Sequence, residues 1–138
     1  GFETLDNDNL VSLNKSEINK VEEYKEIVTN VRSYNIGVCG LFIFGLDKDK
    51  KGVARRTFKF VKEVKMDMAV VSVLTPVFNS SIYHLLEKNN RIISKEWFKY
   101  WYKVVYRPEN MSSEELREEF NYFTKISKRR NKLNYKEV

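Results

Sequence analysis

An α/β fold with parallel strands is what the chain predicts, and three observations carry the prediction. Two continuous apolar runs, 36–44 and 68–74, are short and rich in branched and aromatic residues, which suits strands buried on both faces. Segments of helical periodicity precede, separate and follow them, with connections too short for anything but neighbouring parallel strands. The order helix, strand, helix, strand, helix therefore reads as βαβ units with right-handed crossovers. Size is the third: 138 residues, 42% of them hydrophobic, can build one packed core and leave no room for two.

Residues 1–5 are too few for an element of their own and read as the end of a strand that begins upstream; the chain opens on Gly1, not Met. Asp6, Asn7, Asp8 and Asn9 are turn and cap residues ahead of the apolar run Leu10, Val11 and Leu13. Ser16 is expected to cap a helix, with Glu17 at its positive end and Ile18, Val21, Ile27, Val28, Val31 and Tyr34 along its apolar stripe. That helix should stop near Asn35, because Asn tolerates the left-handed conformation at a helix end. Residues 45–49 form a loop after the first strand, and a helix over 51–64 turns Val53, Ala54, Phe58, Val61 and Val64 to one side. Asp67 opens the second strand, and Pro76, which lacks a donor N–H, closes it. Asn79 and Ser80 can cap a further helix to about Lys88.

Beyond Arg91 the pattern changes. Trp97, Tyr100, Trp101, Tyr102 and Tyr106 make an aromatic-rich segment, extended over 102–107. Ser112 and Glu115 then form a capping box for a last helix that runs through Phe120 and Phe123 toward Arg130, with frayed residues after it.

The charge is uneven. Lys and Arg number 25 against 19 Asp and Glu, yet residues 123–138 hold six basic side chains against Glu137 alone, so the rest is close to neutral. A second basic cluster, from Lys48 to Lys65, surrounds a loop and a helix with few aromatics placed to stack on bases. A solvated helix face plus a basic tail accounts for both, and nucleic acid is not the expected partner. One Cys excludes a disulfide framework and a Cys-rich zinc or iron–sulfur site within this chain. No apolar run approaches the roughly 20 residues that span a bilayer. A cytoplasmic location is the expectation.

In parallel α/β folds ligands bind beyond the carboxyl ends of strands. Three loops qualify: Glu3 and Thr4, the residues 45–49 with Gly45, Asp47 and Asp49, and the residues 75–81 that follow Leu74 and begin with Thr75. A carboxylate there can accept from a ribose or an amino group, and a glycine lets backbone approach a ligand closely; the same residues also form ordinary turns. Nucleophilic catalysis has no support. His84 lies mid-helix, and Cys39 inside a strand reads as an inert core thiol. Phosphate-loop, dinucleotide and metal-ligand spacings are absent. Trp97, Tyr100 and Trp101 read either as a stacking surface or as an aromatic lid packed on a barrel wall, the lid being the preferred account.

Five stretches, in order, resemble one family. Gly1-Phe2-Glu3-Thr4-Leu5 resembles the GFES-type strand end of radical S-adenosylmethionine enzymes, and Lys15, Asn19 and Tyr24 follow at the interval of that family's K…N…Y helix. The segment from Gly37 through Gly45 and Asp47 to Asp49 is similar to its G-I-x-V-x-G-x-F-I-F-G-F-D-x-D strand and loop. Leu74-Thr75-Pro76 resembles its L-T-P-x-P-G-T strand end. Arg91-Ile92, Trp97 and the stretch from Pro108 through Met111 to Leu116 resemble the region after the barrel in the cobalamin-binding-type subgroup.

The resemblance implies a partial (β/α)6 barrel. Residues 1–90 would be its C-terminal half, and 91–138 a helical extension with a basic tail. It implies a 4Fe–4S cluster on a C-x-x-x-C-x-x-C loop, cleavage of S-adenosylmethionine to a 5′-deoxyadenosyl radical, and cobalamin on a further domain. Glu3 and Thr4 would lie near the ribose or amino-acid moiety, the strand ending at Gly45 beside the adenosine, and Leu74 and Thr75 beside the adenine; Asp47 matches a family position whose role is open between ligand and loop. Two departures stand out: the cluster cysteines are absent, and Val77-Phe78-Asn79-Ser80 replaces the P-G-T turn. The expectation is thus a fragment that is not catalytic alone, whose partner is the missing N-terminal half, and whose first strand presents an unpaired edge that favours dimerisation or aggregation. The substrate, a small molecule or a peptide, is not specified. Two other classes stay open: a non-catalytic nucleoside-binding or scaffolding domain, and a module whose basic tail contacts nucleic acid or a membrane surface.

Overall fold

The computed structural model describes residues 1–101 and 103–134, with side chains described as far as Arg129. Its elements are α1 (Asn7–Ser12), a 3-10 turn at Val21–Glu23, α2 (Tyr24–Ser33), β1 (Cys39–Phe44), α3 (Val53–Glu63), β2 (Met68–Val73), α4 (Ser81–Lys88), a second 3-10 turn at Trp97–Trp101, and α5 (Ser113–Asn134). The extended reading of Tyr102 and the last part of the basic tail fall outside the described residues.

β1 and β2 run parallel, in register from Cys39 opposite Met68 to Phe44 opposite Val73, with α3 between them in the chain. This is the βαβ unit that the alternation predicts. Residues 1–5 complete it on the far side of β1. The Phe2 and Glu3 amides donate to the Leu41 carbonyl at 3.0 and 2.9 Å, the Ile43 amide donates to the Glu3 carbonyl at 2.7 Å, and Glu3 forms a parallel bridge with Phe42. The strand-end reading of 1–5 fits this pairing. The expected bare edge of β1 is corrected, because these residues occupy it over Leu41–Ile43.

The core lies on one face of the sheet. Phe42, Phe44, Ala69 and Val71 meet Val53, Ala54 and Val61 of α3 and Leu116 and Phe123 of α5. Phe44 and Phe58 both meet the Phe123 ring edge-to-face, at 5.6 and 6.2 Å, the geometry that aromatic quadrupoles prefer. The opposite face is open: Leu41, Met68 and Val70 are 49%, 44% and 46% exposed, and Cys39 is exposed beside them. Burial on both faces is therefore corrected, and so is the core-thiol reading of Cys39. Side chains alternate across a strand with period 2, and the described helices cover only one side.

The helix ends follow local chemistry in most places. Asp6 caps α1 by accepting from the Asn9 amide at 2.9 Å. Asn35 takes φ 58° just after α2, and Ser80 caps α4 by accepting from the Tyr83 amide at 3.2 Å. At α5 the Glu115 amide donates to Ser112 Oγ at 3.0 Å and the Ser112 amide to Glu115 Oε2 at 2.9 Å, the predicted box. Ser16, by contrast, caps nothing regular. Residues 15–19 turn on the Lys15 carbonyl, and α2 begins only at Tyr24. Asn7 Oδ1 accepts from the Val21 amide at 3.3 Å, so this stretch is tied back to α1. Residues 51 and 52 stay outside α3, because Gly52 sits at φ 91°. Glu119 of α5 caps that helix from outside, taking the Gly52 and Ala54 amides at 2.7 and 2.8 Å. No described helix is long and apolar enough to cross a membrane.

Candidate functional site at the strand ends

The three loops named from sequence leave the sheet at the same end, beyond Glu3, Phe44 and Val73. With neighbouring strands about 4.8 Å apart, the outer two stand about 10 Å from each other. That distance suits a ligand lying across β1.

Glu3 is the strained residue of the first loop. Its φ of 62° is one that side chains other than glycine and asparagine seldom adopt. Three residues from the turn and α2 hold it. Tyr24 Oη donates to the Phe2 carbonyl at 2.6 Å, Asn19 Nδ2 donates to the Gly1 carbonyl at 3.0 Å, and Lys15 Nζ stands 3.9 Å from Glu3 Oε1. Burial pushes the Tyr24 hydroxyl up to about 12, and the Glu3 charge adds to the effect. The residues read as a K…N…Y set thus pin one strand end. The Glu3 side chain remains 19% exposed there.

The second loop is sealed by a buried polar network. Asp49 Oδ2 accepts from the Gly45 and Leu46 amides at 2.8 and 3.1 Å, closing the loop on itself. Asn9, wholly buried, donates Nδ2 to Asp49 Oδ1 at 3.1 Å and to Thr4 Oγ1 at 3.5 Å, while its Oδ1 accepts from the Lys48 amide at 3.0 Å. Burial pushes the Asp49 carboxyl up to about 6, against the pull of its two backbone donors and Arg56. A cavity of about 60 Å³ lies between Thr4, Asp49 and Thr57. That space is enough for a few waters and too small for a nucleoside cofactor.

Asp47 and Gly45 face the other way. Arg91 donates Nη2 to Asp47 Oδ1 at 2.7 Å, Nη1 to Glu109 at 3.1 Å and Nε to the Arg107 carbonyl at 2.8 Å. Gly45 sits at φ 96°, and a Cβ there would lie 2.1 Å from Tyr106 Oη and 2.6 Å from Leu116. Tyr106 Oη donates to the Gly45 carbonyl at 2.7 Å, and burial raises its pKa. Of the six candidate residues, Thr4, Gly45 and Asp47 therefore have their polar groups engaged inside the protein. Thr75 is exposed, with its hydroxyl donating to the Val73 carbonyl at 3.1 Å, the Asp47 and Glu3 side chains are 34% and 19% exposed, and Leu74 is partly buried against the core.

The third loop is open. Thr75, Val77 and Phe78 are exposed, and Asn79 turns the chain at φ 67°. Val77, Phe78, Trp97 and Trp101 border a groove of about 590 Å³ with Lys95 on its lining. Thr75, Tyr100 and Trp101 also line an adjoining groove of about 400 Å³ that reaches Arg117 and Asn121 of α5. Trp97 and Trp101 are 75% and 83% exposed. The packed-lid account is corrected: these rings stand at the surface. Asn9, Tyr106 and Glu119 were invisible as site-shaping residues, since each acts on a partner distant in the chain. The Asp49 spacing, four residues after Gly45, is the one local signal of loop closure. Among the described residues no three His, Cys, Asp or Glu side chains gather as metal ligands.

No protein-family model matches the chain. It is similar to the bacteriochlorophyllide d C-12(1)-methyltransferase of Chlorobaculum tepidum, 32% identical over 121 residues that cover 87% of this chain and 26% of that protein. It is also similar to the bacteriochlorophyllide d C-8(2)-methyltransferase of the same organism, 26% identical over 100 residues, 72% of this chain and 22% of that protein. The chain spans about a quarter of the length of the curated relatives it matches. The expected assignment to the cobalamin-binding-type subgroup of radical S-adenosylmethionine domains is corrected on these findings: no family model supports it, and the measured likeness is to parts of two methyltransferases.

Proposed function

We propose that this chain is a segment of an S-adenosylmethionine-dependent methyltransferase acting on a bacteriochlorophyllide-type tetrapyrrole. The observation that supports it most is the 32% identity over 87% of the chain to an enzyme named for methylating such a substrate. S-Adenosylmethionine supplies an activated methyl group when bound. The strand ends fit such a ligand in part. Glu3 offers a carboxylate, held in a strained backbone by Lys15, Asn19 and Tyr24, that can accept from ribose hydroxyls or an ammonium. Thr75 is exposed at the end of β2, beside Leu74, which is partly buried against the core. Thr4, Gly45 and Asp47 act in this reading by fixing the loop between those two points.

A 4Fe–4S cluster or cobalamin does not fit the donor set of this chain, which has a single Cys, on the open sheet face, and no described acidic or His cluster. In this reading the chain is not catalytic alone, and the open face of Leu41, Met68 and Val70 is turned toward the rest of the same protein. The test is to supply the whole protein with methyl-deuterated S-adenosylmethionine and bacteriochlorophyllide d and to weigh the product. One labelled methyl group on the tetrapyrrole is the expected result; no label overturns the reading.

A further inference from the structure

We infer that the groove past β2 is the surface that takes the tetrapyrrole, with Trp97 and Trp101 against the flat macrocycle and Arg117 at its carboxylate. The inference rests on the proposed function and adds the place and chemistry of substrate binding. Two indoles at 75% and 83% exposure, with Phe78 at 73% and Val77 at 63%, form an apolar patch of the kind that marks ligand grooves and contact sites. The patch borders a groove of about 590 Å³, within the range of about 300–1,000 Å³ typical of ligand sites. Thr75 lines it, so it opens at the same sheet end as the proposed cofactor surface, where a methyl donor and its acceptor must meet.

The groove is not uniform, and its asymmetry matches the ligand. Its outer part is apolar and aromatic but for Thr75 and Lys95, while the adjoining space of about 400 Å³ adds Ser72, Lys103, Arg117 and Asn121 at the edge of an apolar wall of Val71, Val73, Val104 and Phe120. Arg117 makes no ion pair among the described residues, and it is exposed. A bacteriochlorophyllide carries the same two characters: a broad apolar ring system and one free carboxylate at its edge. Aromatic side chains bind such a ring by stacking with little loss of conformational freedom, and the planar Arg fork pairs a carboxylate through two bonds.

The experiment is a titration of the whole protein with bacteriochlorophyllide d, read by quenching of Trp fluorescence for the wild type and by the pigment's own absorption shift for the variants. Replacing both indoles, Trp97→Ala with Trp101→Ala, should weaken binding by at least about tenfold. Arg117→Gln should weaken binding of the free acid about fivefold while leaving its methyl ester unaffected, as loss of one charge-assisted pair predicts. Far-ultraviolet circular dichroism should stay unchanged, because these side chains are at the surface. Wild-type affinity in the double variant, or no pigment binding by the wild type, overturns the groove. Its failure is separable from failure of the methyltransferase reading: label transfer that persists in the double variant with unchanged KM sinks the groove alone, whereas absence of label transfer in the wild type sinks the reading.

Discussion

The loops after β1 and β2 leave neighbouring strands of one sheet at the same end, and they are built in opposite ways. Residues 45–49 spend their polar groups inward: the Gly45, Leu46, Lys48 and Asp49 amides all donate within the protein, to Asp49, Asn9 or Leu46. Tyr106 and Arg91 close the same loop from outside. Residues 75–80 instead leave Thr75, Val77 and Phe78 at the surface, beside exposed Trp97 and Trp101. The difference separates two jobs that the sequence pattern lumps together. The first loop fixes the end of the sheet; the second bonds to itself, to Val73 and to the first turn of α4, and leaves Val77 and Phe78 exposed.

That contrast can be broken most sharply at Gly45. Gly45→Ala forces a Cβ to within 2.1 Å of Tyr106 Oη at a φ of 96°, so a loss of about 4 kcal/mol is expected in urea unfolding. Stability close to wild type would mean the lock is soft.

The pH dependence of Asp49 sharpens the contrast next. Its folded-state pKa of about 6 lies above the ordinary 3.8, so the folded chain holds this proton more tightly than the unfolded one. This group therefore costs stability above about pH 6, and the cost disappears as the pH falls toward 4, a change of about 2–3 kcal/mol. Asp67 and Glu115, whose pKa values are lowered by Arg32 and by the Ser112 amide, oppose it in more acid solution. The difference between wild type and Asp49→Asn isolates the effect, and parallel stability profiles for the two would refute it.

Smaller again is Asn9→Ala, which leaves Asp49 Oδ1, the Thr4 hydroxyl and the Lys48 amide short of a buried partner. About 2 kcal/mol should be lost in the same unfolding assay, and a neutral result would show that water replaces the amide. On the open side, Trp101→Ala should change stability by no more than about 0.5 kcal/mol. A larger loss would mean that the ring is part of the packing after all.

What sequence reveals here is what neighbours in the chain decide. The Ser112 and Glu115 box, the Ser80 cap and the left-handed Asn35 are all set by residues within four positions of each other, and each stands where it is read. The βαβ order follows from two apolar runs and a helical stretch between them. What stays hidden is decided by distance. A run such as Cys39–Phe44 is apolar on both faces, so composition cannot say that helices cover only one. Asn9 meets Asp49 across 40 residues and Glu119 caps α3 across 65, and neither pairing leaves a local mark. Lys15, Asn19 and Tyr24 carried a family resemblance. In the structure they hold Gly1, Phe2 and Glu3 in place, a role that spacing alone does not show. Of the candidate site, the strand-end loops were legible, but which of them is sealed and which is open was not.

Hydrogen exchange on the whole protein, with and without bacteriochlorophyllide d, tests the division between the two loops most directly. The amides of Gly45, Leu46, Lys48 and Asp49 should be protected in the free protein and unchanged by the pigment, while those of Val77, Phe78, Trp97 and Trp101 should slow when it binds. Slowing confined to residues 45–49, with residues 77–101 unaffected, would contradict it.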